Sequence, residues 1–140
     1  MKVKVYYNLH KNCYSIVSLE KENYGRVIKH SNCVPLFDAQ FKVSEKGRQR
    51  VLREQKKNVH AYVVGTWVDE DEKFHSSTHK YYTNFWLTEY FPIKLATYNP
   101  YKYSSFVDAH SKKPLAKAKQ VLLSKRHFVG RQTSQIYYVA

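Results

Sequence analysis

The sequence predicts an α+β fold: a single domain, residues 1–140, built on a mainly antiparallel twisted sheet of about 6–8 strands with one or two short helices. Three observations predict this class. A chain of 140 residues has room for one compact domain. Short segments in which apolar and polar residues alternate, which is the period of a strand, follow one another from the N-terminus. No internal repeat, low-complexity tract or linker divides the chain.

The first part of the chain is predicted to form a meander of about four strands. Residues 2–9 alternate, with Val3 and Val5 on the apolar side, and residues 13–19 form the second strand. A polar turn leads into a strand at residues 26–30. The fourth strand covers residues 36–43, and four apolar side chains are expected on one of its faces: Phe37, Ala39, Phe41 and Val43.

A basic helix is predicted to follow this meander. Ser44 has the chemistry of an N-cap and Glu45 lies in the first turn, where the helix dipole favours an acid. The segment is helical by composition to about residue 57, although Gly47 weakens it. Four cations at i, i+4, i+7 and i+11 are expected on one face, and two more flank it: Lys46, Arg50, Arg53 and Lys57, with Arg48 and Lys56. Because Glu54 is the one acid interleaved with them, the pattern favours a helix that faces phosphates.

The second part of the chain is predicted to contain further strands and a second helix. Residues 59–68 are apolar on both faces, which is typical of a central strand. The remaining predicted elements are an acidic hairpin tip at 69–72, a strand at 78–91, a hairpin formed by 93–98 and 101–107 around Asn99-Pro100, a short helix within 111–125 and an edge or returning strand at 136–139.

The chain is strongly basic. Its 24 Lys and Arg against 11 Asp and Glu give a formal net charge of +13, and 16% of the residues are aromatic. A field of this sign attracts phosphates at long range. The composition therefore predicts nucleic acid, DNA or RNA, or a nucleotide as the partner.

Aromatic and basic residues interleave most densely at residues 98–103. Tyrosine rings stack on unpaired bases while lysines neutralise the backbone, which is how single-stranded nucleic acid and nucleotides are bound. Tyr101 and Tyr103 are the predicted stacking residues, and Lys102 is the predicted phosphate contact. The same composition also describes a half-exposed strand, in which tyrosine is favoured without any binding role.

Two short segments combine histidine and cysteine at the same spacing: His10-Lys11-Asn12-Cys13 and His30-Ser31-Asn32-Cys33. Together they offer four nitrogen and sulfur ligands for a tetrahedral structural zinc. The pairs lack the glycine-containing knuckles common in zinc folds, so two unrelated thiols are the favoured interpretation. No cofactor is otherwise expected.

Signatures of catalysis are mostly missing from the sequence. It contains no P-loop, no dinucleotide-binding glycine motif and no Gly-x-Ser-x-Gly elbow. His75 and His79 have the spacing of zinc-protease ligands, but Ser76 stands where the catalytic glutamate belongs. An enzyme acting on a nucleotide or nucleic acid stays an alternative, with candidate residues His60, His75, His79 and His110. We expect a binding protein rather than an enzyme.

Two stretches resemble a known group of proteins: residues 2–14 (KVKVYYNLHKNCY) and 47–62 (GRQRVLREQKKNVHAY). They are similar to small, mostly uncharacterised accessory proteins encoded by bacterial viruses. The resemblance implies a phage protein that acts in the bacterial cytoplasm. It also supports a second alternative, a counter-defence or interference protein that binds a small nucleotide signal or an acidic host protein.

The sequence predicts a cytoplasmic protein with no membrane partner. No apolar run approaches the roughly 18 residues that a membrane span needs. Residues 6–10 (YYNLH) occupy the place of a signal peptide's apolar region. The host cytoplasm is therefore the expected compartment.

Overall fold

A computed structural model describes residues 1–67, 94–128 and 131–139. Within these residues the elements are β1 (Lys2–Asn8), β2 (Cys13–Ser18), β3 (Val27–Ser31), β4 (Cys33–Val43), α1 (Glu45–Glu54), β5 (Ala61–Trp67), β6 (Lys94–Thr97), β7 (Val107–Asp108), β8 (Lys117–Phe128) and β9 (Arg131–Val139). One 3₁₀ turn, Lys21–Asn23, joins β2 to β3. The strands form one sheet in the order β3-β2-β1-β5-β4-β8-β9-β6-β7, in which all the neighbours are antiparallel.

The predicted α+β class and its mainly antiparallel sheet are confirmed. The described residues contain nine strands, more than predicted, and one α-helix. The predicted acidic hairpin tip at 69–72 and strand at 78–91, together with His75 and His79, lie outside the described residues. In the part of the chain that the structure describes, no helix is long and apolar enough to span a membrane.

The N-terminal meander follows the alternation of its sequence. Val3 and Val5 are fully buried in β1, whereas Lys4 between them is half-exposed. β1 pairs with β2 on one side and with β5 on the other. β5 lies between β1 and β4, so it is the central strand that its two apolar faces predict.

β4 contains a bulge that changes the predicted face. From Phe37 to Gln40 this strand advances three residues while its partner β5 advances two, and Asp38 takes a left-handed φ of 48°. Leu36 and Ala39 are therefore both buried in the core, while Phe37 is half-buried. The prediction that Phe37 shares the Ala39 face is wrong, because the extra residue reverses the alternation.

The helix predicted within residues 111–125 is also wrong, since this segment enters β8. Val121, Leu122 and Leu123 are consecutive and each is at most 2% exposed, so both faces of the strand are covered. β8 pairs with β4 on one side and with β9 on the other. β9 returns antiparallel to β8 but is not an edge, because β6 pairs along its other side.

The hairpin predicted around Asn99-Pro100 is present in shortened form. Its first arm is β6, but the second arm is reduced to the two residues of β7. Residues 98–106 between them form an irregular turn rather than a strand.

One hydrophobic core joins the two ends of the sheet. The buried cluster contains Val3 and Ile16 from β1 and β2 together with Ala96 and Tyr138 from β6 and β9. A small cavity of about 250 Å³ is lined from the same two directions. The sheet is therefore coiled around its apolar face.

Candidate functional site

The ends of α1 are set by its flanking residues. The Ser44 hydroxyl accepts the backbone N–H of Gly47 at 3.2 Å, which confirms the predicted N-cap. The helix ends earlier than predicted, because Gln55 takes a left-handed φ of 56° and closes the last turn. Lys56 and Lys57 therefore follow the helix, and the prediction that Lys57 shares its cationic face is wrong.

Three predicted phosphate-binding cations lie on the outward side of α1. Lys46, Arg50 and Arg53 are exposed, whereas Val51 on the opposite side is 4% exposed. The Nε atom of Arg50 lies 3.1 Å from a carboxylate oxygen of Glu54. An exposed pair at this spacing is worth about 0.3–0.5 kcal/mol, so a phosphate can replace the carboxylate at little cost.

Arg48 has a different environment from these three cations. Its Nε donates to the backbone carbonyls of Pro100 at 3.1 Å and Tyr103 at 3.0 Å, and its Nη1 donates to Glu45 at 3.1 Å. The side chain is 15% exposed. Arg48 therefore fastens the turn at residues 98–106 to the side of α1.

This fastening brings the predicted stacking residues next to the predicted phosphate-binding helix. Tyr101 is 60% exposed and Lys102 is exposed, while Tyr103 is half-buried. The Asn99 side chain accepts the backbone N–H of Tyr101 at 2.9 Å and fixes the start of the turn. Two segments about 50 residues apart in sequence, which were singled out for separate reasons, thus form one surface.

His60 lies beneath α1 and links it to the same turn. It is 8% exposed, and a Cβ atom added to Gly47 would lie 2.7 Å from the His60 Cβ, so a glycine is needed for this close approach. Its Nδ1 lies 2.8 Å from the Asn58 carbonyl oxygen and its Nε2 lies 2.5 Å from the Tyr98 hydroxyl. A carbonyl oxygen accepts and never donates, so in the neutral ring Nδ1–H donates to Asn58 and Nε2 accepts from Tyr98.

The environment of Tyr98 favours its neutral form. Burial raises the pKa of Tyr98 to about 12, against an opposing effect of the Arg48 guanidinium. The phenol therefore stays protonated at neutral pH and donates to His60.

Two adjoining cavities surround the 57–60 segment. The sheet cavity, about 490 Å³, extends over the outer face of β1 and β5 and is lined by Lys4, Tyr6, His10 and Tyr62 among others. The turn cavity, about 510 Å³, extends towards the 98–106 turn and is lined by Tyr7, Tyr98 and Tyr101 among others. Both include Leu9 and the whole 57–60 segment in their lining, so they meet along this segment, and the two together are called the cleft.

The cleft is positively charged. Among the residues that the structure describes, neither cavity is lined by an Asp or Glu side chain, whereas Lys4 and Lys57 both border the cleft. Leu9 and Val59 each expose 41% of their surface there. Cations, aromatic rings and exposed aliphatic groups are thus combined without a negative charge.

The four candidate zinc ligands are not assembled into a metal centre. Within residues 1–67, 94–128 and 131–139, no three His, Cys, Asp or Glu side chains are grouped so that they could hold a metal ion. His10 is exposed in the β1–β2 turn, and the Nδ1 of His30 lies 2.8 Å from the Ser15 hydroxyl. Neither Cys13 nor Cys33 is in a disulfide, and both are half-buried.

The remaining candidate histidine, His110, lies in a separate loop. It is exposed and lines a cavity of about 700 Å³ together with Asp108 and Tyr138. The backbone N–H groups of His110 and Ser111 donate to Asp108 at 2.9 and 2.8 Å, and the Tyr138 hydroxyl donates to the same carboxylate. This carboxylate organises the loop, and His60 and His110 do not share a cavity.

Sequence reasoning did not select Lys4, Tyr6 or Tyr62 as site residues. The alternation of β1 does place Lys4 and Tyr6 on the face opposite the core, which is the feature that could have identified them. Nothing in the sequence indicates that the 57–60 segment passes beside them.

Comparison with known proteins gives the class of protein to which this chain belongs. A family model described as "Mycobacterium phage L5 gene 82 protein" matches residues 1–131. The Gene 82 protein of Mycobacterium phage L5 is 35% identical over 130 residues, which cover 89% of this chain and 90% of that protein. No solved structure matches the chain.

The fold and these matches define a small phage protein built on one antiparallel sheet, as the resemblance of the two sequence stretches implied. The chain belongs to the family of the Mycobacterium phage L5 gene 82 protein.

Proposed function

We propose that this chain is a nucleic-acid-binding accessory protein that acts in the cytoplasm of the bacterial host. Exposed cations of α1, namely Lys46, Arg50 and Arg53, contact phosphates, and Lys56 and Lys57 extend this basic surface beyond the helix. Tyr101 stacks on a base and Lys102 neutralises the adjoining backbone. Binding needs neither catalysis nor a cofactor.

The observation that carries this proposal is the junction made by Arg48. Its two hydrogen bonds to the backbone at Pro100 and Tyr103 hold the tyrosine-bearing turn against the basic helix. Phosphate contacts and base stacking are thereby available on one surface, which is the combination that strand-binding proteins use. Arg48 itself is mostly covered, so its role is to position the turn, while Tyr103 supports the turn from a half-buried position.

The charge balance supports the same proposal. A net charge of +13 on 140 residues attracts polyanions without reference to sequence. A polyanion bound mainly through phosphates shows an affinity that falls steeply as salt rises.

The arrangement of the candidate histidines supports an enzyme less well than a binding protein. Of the two candidate histidines that the structure describes, His60 lines the cleft and His110 does not, and both ring nitrogens of His60 are hydrogen-bonded to protein groups. Metal-dependent cleavage abolished by a chelator would favour the enzyme. Saturable, salt-insensitive binding of one small nucleotide per protomer would favour an interference protein, as would docking on an acidic host protein.

The test is fluorescence anisotropy of labelled DNA and RNA across a series of salt concentrations. Arg50→Ala combined with Arg53→Ala is expected to weaken binding to all sequences alike. It should reduce the slope of log K against log salt by about 1.4–1.8, because each lost phosphate contact contributes roughly 0.7–0.9.

The matched control removes two positive charges elsewhere. Lys21→Ala combined with Arg26→Ala changes two exposed residues in the segment before β3, so the net charge falls equally. This control should retain more of the wild-type slope and affinity. Equal losses in both double variants would contradict the helix assignment, and no binding by the wild-type protein would overturn the proposed function.

A further inference from the structure

The cleft beside α1 adds a site that the basic helix alone does not provide. It runs from Lys4 and Tyr6 on the sheet, past the 57–60 segment, to Tyr101 on the turn. Its two cavities, of about 490 and 510 Å³, each lie within the roughly 300–1,000 Å³ of ordinary ligand sites. The cleft therefore offers two adjoining cavities of ligand size, one lined by Tyr6 and the other by Tyr101.

The chemistry of the lining selects a ligand that carries both negative charge and flat rings. Among the described residues, the cleft presents Lys4 and Lys57 without any acidic side chain. The Lys4 ammonium lies 4.8 Å from the centroid of the Tyr62 ring, so a cation is held directly beside an aromatic surface. Alternating phosphates and bases match this combination, whereas an acidic peptide would leave the aromatic surface unused.

Whether that ligand is single-stranded or double-stranded follows from how a tyrosine ring stacks on a base. In a duplex each base face is covered by the neighbouring base pair, so a tyrosine ring cannot stack on it without unpairing. Unpaired bases expose both faces and stack on aromatic side chains. A duplex reaches the helix cations but gains nothing from the cleft.

We infer that the cleft binds single-stranded nucleic acid, with Tyr6 and Tyr101 stacking on bases near its two ends and Lys4 and Lys57 neutralising the intervening phosphates. This inference rests on the proposed function and assigns it a ligand class and a second set of contacts. The strand lies along the cleft while the exposed cations of α1 contact its flanking phosphates. Single-stranded DNA and RNA share this chemistry, and separate arms of the test distinguish them.

The first part of the test uses the wild-type protein, so it does not depend on the folding of any variant. Anisotropy is measured with a labelled 12-mer DNA, the same sequence as RNA, and each as a blunt duplex, at one salt concentration. The single strands are expected to bind at least about tenfold more tightly than the duplexes, which is the effect of roughly one stacked base. Equal affinity for single strands and duplexes would overturn the inference while leaving the proposed function in place.

The second part uses two pairs of matched variants. Tyr101→Ala removes an exposed cleft tyrosine, and Tyr24→Ala removes an equally exposed one, 71% accessible, that lies outside the cleft lining. Lys4→Ala removes a cleft lysine, and Lys2→Ala removes a lysine of the same strand that lines neither cavity.

Tyr101→Ala and Lys4→Ala should weaken single-strand binding by about tenfold and about threefold respectively, and leave duplex binding within twofold. Tyr24→Ala and Lys2→Ala should change single-strand binding by less than twofold. Equal losses within each pair would show that the cleft is not the site. Competition by a mononucleotide as strong as by the 12-mer would identify a nucleotide site and also overturn the inference.

Discussion

Two pairs of a tyrosine hydroxyl and an ionisable side chain lie in different regions of the described residues. Tyr138 donates to Asp108, whose carboxylate also accepts two backbone N–H groups. Tyr98 bonds to His60, whose other ring nitrogen bonds to one backbone carbonyl. The first pair lies between β9 and the loop after β7, and the second lies at the cleft beneath α1.

The two pairs differ in the partner of the tyrosine hydroxyl, which is a carboxylate in one and an imidazole in the other, and in their position in the fold. The hydrogen bond from Tyr138 is the foremost cause that lowers the pKa of Asp108 far below its usual value, so this partner stays charged. Asp108 and Tyr138 border the cavity beside His110, whereas His60 and Tyr98 border the cleft beside α1. The Asp108 pair therefore stabilises the loop after β7, and the His60 pair shapes the wall of the cleft.

The largest effect is expected from breaking the charged pair. Asp108→Ala leaves the buried Tyr138 hydroxyl and two backbone N–H groups without their acceptor. The free energy of unfolding should fall by about 3 kcal/mol, since an unsatisfied buried polar group costs roughly 1–3 kcal/mol. Urea denaturation at pH 7 measures it, and a loss under about 1 kcal/mol would contradict the role given to Asp108.

Asp108→Asn is the control for the charge alone. The pKa of Asp108 lies below its unfolded value of 3.8, so its contribution is complete above that pH and is lost as the pH falls further. The wild-type protein should therefore lose stability as the pH drops below about 4. Asp108→Asn should lose less over that interval, because an amide does not titrate.

An intermediate effect is expected where α1 packs on the His60 pair. Gly47→Ala introduces a Cβ atom 2.7 Å from the His60 Cβ. Alanine favours a helix by about 1 kcal/mol over glycine, yet overpacking costs about 1–3 kcal/mol. Because this separation is so short, we expect a net loss of about 1.5 kcal/mol in thermal or urea unfolding.

Lys46→Ala, at the neighbouring exposed position, is the control and should stay within about 0.5 kcal/mol of wild type. A Gly47→Ala protein more stable than wild type would show that helix propensity, and not the contact with His60, decides at this position.

The smallest effect is expected from breaking the hydrogen bond between Tyr98 and His60. Tyr98→Phe removes one hydroxyl and should lower the free energy of unfolding by about 1 kcal/mol at pH 7. The pKa of Tyr98 is raised from 10.0 to about 12, so the fold favours the protonated phenol and loses stability as the pH rises from 10 to 12. The variant should lose less there, while Tyr138, whose pKa is also raised, retains part of the dependence.

Denaturation series between about pH 8 and 12 measure this difference, with Tyr101→Phe as an exposed control. An unchanged alkaline dependence in Tyr98→Phe would show that Tyr98 does not carry it.

The strands were predictable wherever one face is buried and the other is exposed to solvent. Val3 and Val5 in β1 show this, since their alternation with polar residues specifies both strand and face. β8 was not predictable in the same way, because Val121 and Leu122 are buried on opposite faces and a continuous apolar run suits a helix as well as a strand. The bulge at Asp38 is a further limit, since one inserted residue reverses every later position.

The candidate site was predictable in composition but not in assembly. Lys46 and Arg50 lie on the outward helix face that their spacing indicates. Arg48 has the same chemistry and a similar position in sequence, but backbone carbonyls about 50 residues away decide its role. Contacts of that range depend on the sheet topology, which local periodicity does not encode.

The contact made by Arg48 also bears on the thermodynamics of recognition. Because its guanidinium bonds to carbonyls at both ends of the 100–103 segment, the backbone that carries Tyr101 is ordered before any ligand arrives. A mobile loop loses conformational entropy each time it binds a ligand, whereas the 100–103 segment has already lost that entropy when the protein folds. If the chain binds a single strand as proposed, this ordered turn presents the Tyr101 ring without a further loss of backbone entropy on binding.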